Sequence, residues 1–348
     1  MSEQSIADRI HPPLLTSSAL SHRHHDHIDG LPNVLALLRR LRADRDFALV
    51  PLPLPRLHKK PDAKYDPALI ETLRALPADS FEPFRAGGLD SSPLWPLKAG
   101  DVLSTYRSDK NGEAATLQTG ERLHLEVLET PGHTTDHLCF FLREERTLFT
   151  ADHVLGQGTT VFEDLSAYID SLSACSELLR GAGPSVFHAD VENRLYPGHG
   201  PVVERGRAVL KQYAEHRLER EAQIVELLAS APSQPTQASD KTTGASVGAG
   251  SSWSLHDVVQ EMYAGFPEGV MQAATRGIFL HLQRLATPTP SSPSPRVKCL
   301  ALPGYATEGG DPDGYAQGQG PVPRLPQDMD EWQEATRSRW ALVKRAAI

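Results

Sequence analysis

Between Ser21 and Gly30 the chain reads SHRHHDHIDG. Four imidazoles and two carboxylates crowd into that stretch, ahead of an apolar run at helical spacing. In an extended loop, residues two apart point the same way, so His22 and His24 can grip one ion. Asp26 and His27 fall where a helix begins and can face a second. Neutral imidazole and carboxylate are donors that suit zinc, and no thiol lies nearby. Taken alone, the stretch also fits a solvated histidine-rich loop.

Three distant segments offer similar donors. His133 in ETPGHTTDH (129–137) and His199 in LYPGHGPV (195–202) each follow a strand pattern and a Pro-Gly turn, and Asp152 in LFTADHVLG (148–156) ends a strand pattern. Layered α/β folds build their sites at strand ends. His25 reads as exposed filler or, less favoured, an outer-shell donor, and His137 and His153 as packing or outer-shell groups. No GxSxG is present, and Cys139, Cys175 and Cys299 stand singly, without the signature of a cysteine nucleophile.

The elements that must hold these groups alternate. A short strand pattern ends at Leu20, and LPNVLALLRRLRA after Gly30 predicts a helix with Pro32 in its first turn. Asp29 is placed to cap that helix, or else to stand near the second ion as an extra carboxylate, the cap being the favoured use. A strand is expected within 47–55 and a helix over 66–76. RLHLEVLETP, LCFFL and RTLFT predict strands, 164–180 a helix, NRLYPGHG a strand and tight turn, and 203–229 a long charged helix. This alternation predicts a layered α/β domain over 1–229. Residues 230–252 are small and polar and read as a flexible linker or insertion. Two helical patterns over 253–287 form a small appendage, with Trp253 as its anchor. A Pro/Gly-rich tail over 288–348, expected to be largely disordered, carries a last helical pattern around Trp332 to Lys344.

The bulk numbers narrow the classes. With 348 residues, 39% hydrophobic and 23% charged, a sizeable core is expected. A formal net charge of -9 argues against non-specific nucleic-acid binding. The three scattered cysteines suit a reducing compartment, and neither a membrane span nor a secretory leader is legible, so a cytoplasmic location with no membrane partner is expected.

The order HxHxDH, PGH, an Asp at a strand end and PGHG resembles the metallo-β-lactamase superfamily. GQGTTVFEDLSAYIDSL (156–172), LYPGHGPVV (195–203), YAEHRLEREAQI (213–224) and the later GIFLHLQRL resemble its β-lactamase-like protein 2 subgroup, which includes fungal polyketide thioesterase-type relatives. The resemblance implies a four-layer αββα sandwich with a metal site on one sheet edge, followed by a small winged-helix-like helical domain. It implies two Zn2+ per chain. His22, His24 and His133 would hold one, Asp26, His27 and His199 the other, and Asp152 would bridge them. Asp26 and Asp152 are the expected catalytic carboxylates.

The implied activity is hydrolysis by metal-activated water. The resemblance offers an acyl thioester, on a small molecule or a carrier protein and of the polyketide type found in secondary metabolism. It also offers single-stranded RNA, for which Arg39, Arg40, Arg42, Lys59, Lys60 and the 217–220 region would have to line a groove. The acidic balance favours the thioester. Members of the superfamily place several strands before HxHxDH, whereas 21 residues precede His22 here. The expectation is therefore a sandwich lacking its first strands, with a truncated, inactive family member as a third reading. The oligomeric state is left open.

Overall fold

The computed structural model describes residues 17–43, 53–85, 91–106, 122–182, 193–230, 252–288, 295–301 and 322–343. It comprises two compact units, Met1–Tyr213 and Ala214–Ile348.

In the first unit, β1 (Ser17–Leu20) runs into the histidine loop, a one-turn helix α1 (His25–Ile28) and the longer α2 (Leu31–Ala43). Leu31, Leu35 and Leu38 recur at helical spacing and are buried, which gives α2 its inner face. Asp29 does not open α2. It closes α1 as the C-cap residue, and its carboxylate meets His25 Nδ1 at 3.2 Å.

After α2 come β2 (Arg56–Lys59), α3 (Asp66–Arg74) and β3 (Leu94–Pro96). The order β1-β2-β3 is parallel throughout. Parallel neighbours need crossovers, which α1 with α2 and then α3 supply. The strand expected within 47–55 falls mostly outside the described residues; the first described strand after α2 begins at Arg56, past Pro53 and Pro55, which have no N–H to give a ladder. Residues 47–52 lie outside the described residues. Leu20, Leu57 and Leu94 from the strands meet Leu31, Leu35, Leu69 and Leu73 from the helices in one apolar cluster.

The second sheet holds β4 (Val102–Tyr106), β5 (Arg122–Glu129), β6 (Leu138–Leu142), β7 (Thr147–Ala151) and, after α4 (Leu165–Ala182), β8 (Leu195–Pro197). Its order is β4-β5-β6-β7-β8. The pairs are antiparallel up to β7, and β7 with β8 is parallel. Consequently β5, β7 and β8 all run the same way, and their C-terminal ends open on one edge. Leu138 N donates to Ser21 O at 2.8 Å, so the loop that follows β1 reaches that same edge. The alternating α/β pattern read from the sequence is present, as two sheets with helices.

The division between the units falls within α5 (Gly206–Ala229). The second unit contains β9 (Trp253–Ser254), α6 (Leu255–Met262), α7 (Glu268–Ala286), β10 (Val297–Ala301), α8 (Met329–Ala335) and β11 (Arg339–Leu342). A reciprocal capping box between Ser254 and Asp257 starts α6. The strands pair antiparallel in the order β10-β11-β9.

Within the tail expected to be largely disordered, the described residues 295–301 and 322–343 carry β10, α8 and β11. Val297, Cys299 and Trp340 are buried with Trp253, Phe279 and Leu282, and a few large apolar anchors suffice to order short strands inside a Pro/Gly-rich sequence. The helix expected around Trp332 to Lys344 ends at Ala335, and the chain then turns into β11. Trp253, read as an anchor, lies in this unit's own core with its Nε1 donating to Ser230 O. Residues 231–251, 289–294, 302–321 and 344–348 lie outside the described residues. Among the described residues, no helix is long and apolar enough to cross a membrane.

Candidate metal centre

Every donor singled out in the sequence arrives at the one edge. His22 and His24 lie in the loop after β1, and Asp26 and His27 on α1. His133, Asp152 and His199 follow β5, β7 and β8. Ala151 ends β7 with a left-handed φ of 42°, a turn that takes Asp152 out of the strand line. Gly198 N donates to Ala151 O at 2.8 Å and brings the β8 turn alongside.

Two groups of donors converge there. His22, His24, His133 and Asp152 form one, and Asp26, His27, Asp152 and His199 the other, with the donor atoms of each group within 4.8 Å of one another. In the first, His24 Nδ1 stands 3.1 Å from His22 Nε2 and 2.9 Å from His133 Nε2. Asp152 Oδ2 is 3.9 Å and 3.8 Å from those same Nε2 atoms. In the second, Asp152 Oδ1 lies 3.3 Å from His27 Nε2 and 3.5 Å from His199 Nε2, while Asp26 Oδ2 is 2.9 Å from His199 and 3.5 Å from His27. Asp152 therefore gives one carboxylate oxygen to each group.

The donor set fits divalent ions. His133 Nδ1 donates to Val161 O at 2.7 Å, which leaves its Nε2 as a bare lone pair. That lone pair faces two more ring nitrogens, and protons alone cannot satisfy three converging imidazoles. Four donors about 2.0–2.1 Å from a tetrahedral ion are spaced by roughly 3.4 Å, within the spread observed. His27 Nε2 and Asp152 Oδ1 are buried without a hydrogen-bond partner, which is how ligand atoms look when protein alone is counted.

Charge is tuned the same way. Burial, helped by the neighbouring imidazoles, pushes His22 down to about 3. Burial also lowers His133, and lowers His24 together with the Arg23 charge. These three rings are neutral donors near neutral pH. His27 is raised by the Asp152 carboxylate beside it. Burial opposes the charge on Asp152, yet the contacts with His27, His22 and His199 hold its carboxyl below the usual range.

Several neighbours were not legible as site groups. His25 points to solvent, its side chain 90% exposed. His137 is buried and shares a 2.8 Å hydrogen bond with Thr130 Oγ1, and the buried His153 stacks edge-on against Tyr168. Lys59, one of the cations that an RNA groove would have to use, is 2% exposed and paired with Asp136 and Asp66. Lys60 pairs with Glu129 and Arg39 with Asp79, while Arg217 is buried and Arg220 lies over the Tyr263 ring. Arg23 and Glu163, which form an ion pair beside the first donor group, carried no signal beyond Arg23's place inside the motif.

Residues 58–199, which carry His133, Asp152 and His199, match the model of the metallo-beta-lactamase superfamily. This chain carries a metallo-beta-lactamase domain. The histidine loop lies just ahead of the matched span, and the fold brings it to the edge where the domain's other donors stand. Across 161 residues, 46% of this chain and 44% of the relative, the sequence is 35% identical to the beta-lactamase-like protein 2 homolog of Caenorhabditis elegans. It is 32% identical over 186 residues to the lactamase-like protein adaB of Aspergillus niger, covering 52% of this chain and 53% of that one. The atrochrysone carboxyl ACP thioesterase of Aspergillus chevalieri is 35% identical over 150 residues, 43% of this chain and 40% of its own length. The chain thus spans about half the length of the relatives it matches.

Proposed function

We propose that the chain is a dizinc hydrolase of acyl thioesters. The observation that carries this is the split of Asp152, with Oδ2 toward His22 and His133 and Oδ1 toward His27 and His199. One ligand shared between two donor groups is the arrangement a two-metal centre needs. When bound, the ions would supply Lewis acidity toward a carbonyl and a water acidic enough to attack near neutral pH.

The chain's own groups do the rest. His22, His24 and His133 would hold one ion as neutral rings, and Asp26, His27 and His199 the other. Asp26, its side chain 56% exposed, sits at the mouth, where its carboxylate can take the proton of an attacking water. Val161 is 67% exposed beside His133, whose ring its carbonyl holds, and offers an apolar surface to an acyl chain.

The thioester is favoured over RNA on two grounds. The Aspergillus chevalieri relative is a carrier-protein thioesterase by name. The cations that an RNA groove would need are engaged, as at Lys59, Lys60 and Arg39. The substrate class is therefore an acyl group on pantetheine or a carrier protein, of polyketide type. In the second unit, helices α6 and α7 with an antiparallel three-stranded sheet support a winged-helix-like reading.

The test is thiol release from acyl-pantetheine and acyl-carrier-protein substrates by the zinc-loaded chain. Release that disappears in Asp152→Ala supports the proposal. Cleavage of unstructured RNA with steep salt dependence would replace it with the nuclease reading. A folded chain that takes up no metal would sink both.

A further inference from the structure

Arg23 stands between two of the donors, His22 and His24, and its side chain is 8% exposed. Its Nη2 donates to both carboxylate oxygens of Glu163 at 2.6 Å. Its Nη1 donates to Asp136 Oδ1 and Thr135 Oγ1, each at 3.2 Å, with Asp62 Oδ2 at 3.5 Å. The guanidinium plane lies 4.0 Å over the Tyr65 ring.

These partners flank His133 on both sides. Thr135 and Asp136 follow it in the chain. Before it, Gly132 O accepts from Glu163 N at 2.7 Å, and Val161, two residues from Glu163, accepts from His133 Nδ1. Asp136 is itself fixed, by Lys59 Nζ at 2.7 Å and Thr134 Oγ1 at 2.7 Å. One guanidinium therefore bridges the loop carrying His22 and His24 to the two segments that aim His133.

We propose that Arg23 is a positioning residue for the first donor group, setting His22 and His24 against His133 at the spacing an ion requires. The inference rests on the dimetal reading and deepens it. None of these contacts reaches Asp26, His27 or His199, so the effect of Arg23 should be confined to one of the two ions. A guanidinium whose Nη2 meets one carboxylate while its Nη1 reaches a second and its carbon lies over an aromatic ring spans partners that a single ammonium cannot reach together.

The experiment is a Co2+ titration of the metal-free full chain against a competing chelator, read by bound metal and by the visible cobalt spectrum. In a His199→Ala background, which keeps the first group whole, Arg23→Met should weaken the remaining ion about 10–100-fold, the usual cost of losing a group that orients ligands. In a His133→Ala background, the same change should leave the remaining ion's affinity unaltered. Arg23→Lys should restore only part of the loss, and Glu163→Gln, a milder change at a partly exposed partner, should reproduce a smaller one even where Arg23→Met fails to fold. Equal weakening in both backgrounds would mean a general structural role and overturn the inference, as would no weakening in either. A wild-type chain that binds no Co2+ overturns the dimetal reading and the inference with it. A wild-type chain that binds two ions, with Arg23→Met and Glu163→Gln binding two equally tightly, overturns the inference alone.

Discussion

Gly198 lies so close beneath Asp152 that a β-carbon on it would stand 2.7 Å from Oδ1 and 2.9 Å from His27 Cε1. Only a bare α-carbon fits between the β8 turn and the shared carboxylate. Gly198→Ala should therefore push Oδ1 and His27 apart and weaken the second donor group about tenfold or more, a loss typical of disturbed ligand orientation. The first group, which uses Oδ2, should be affected less. Metal content after dialysis at graded chelator concentration checks this.

Asp152 is the single residue whose removal strikes both groups. Asp152→Ala should take bound metal from two ions per chain to less than one and abolish turnover. The chain should remain folded, because Asp152 is a polar group at a strand end and carries none of the apolar core. Elemental analysis beside far-ultraviolet circular dichroism separates loss of the site from loss of the fold. Two ions retained in this variant would rule out a bridging role.

Gly132 makes a prediction about stability. Its φ is +132°, and an added β-carbon would lie 2.4 Å from the Tyr168 α-carbon on α4. Gly132→Ala must both strain the backbone and drive the His133 turn off that helix. A loss of about 1–3 kcal/mol is expected for overpacking of this kind. Because His133 moves with the turn, lowered thermal stability should come with weakened metal binding. Unfolding curves of the metal-free and metal-loaded variant measure the two effects separately.

The second unit buries a charge pair far from this chemistry in sequence. Arg284 Nη1 donates to both oxygens of Glu221, at 2.7 Å and 2.6 Å, and Glu221 is 3% exposed. Burial alone would raise the Glu221 carboxyl, but His281 and Arg284 hold it below its ordinary 4.5. A carboxyl lowered on folding stabilises above its unfolded value, and that contribution disappears as pH falls through the folded one. Wild-type unfolding should therefore lose stability below about pH 4.5, and Glu221→Gln should flatten that part of the profile. Arg284→Met, which leaves the buried carboxylate with His281 but without its charged partner, should cost about 3–5 kcal/mol at neutral pH, more than Glu221→Gln does.

The donors were legible because each sits in a short local pattern, with spacing two in HxHxDH and a Pro-Gly turn before His133 and His199. Their convergence follows from the sheet order, since the shared direction of β5, β7 and β8 opens their ends on one edge. What sequence could not supply was contact across distance. Arg23 and Glu163 are separated by 140 positions, and nothing local marks either as the other's partner. Nothing local marks Lys59 as buried, and it is Asp136 and Asp66 that make its burial tolerable. The strands beyond 288 were hidden by their Pro/Gly-rich setting, because their order comes from Trp340 and Val297 packing onto residues encoded well upstream.

The division of the Asp152 carboxylate also bears on how the centre fills. An ion in either donor group would fix that side chain's rotation and leave its other oxygen already aimed at the neighbouring group. The two loading steps would then share a coupling free energy, and by linkage each would help the other by the same factor. Opposing this is the mutual repulsion of two dications held by one carboxylate. The shape of the loading curve, steeper or shallower than that of two independent sites, would report which of the two dominates.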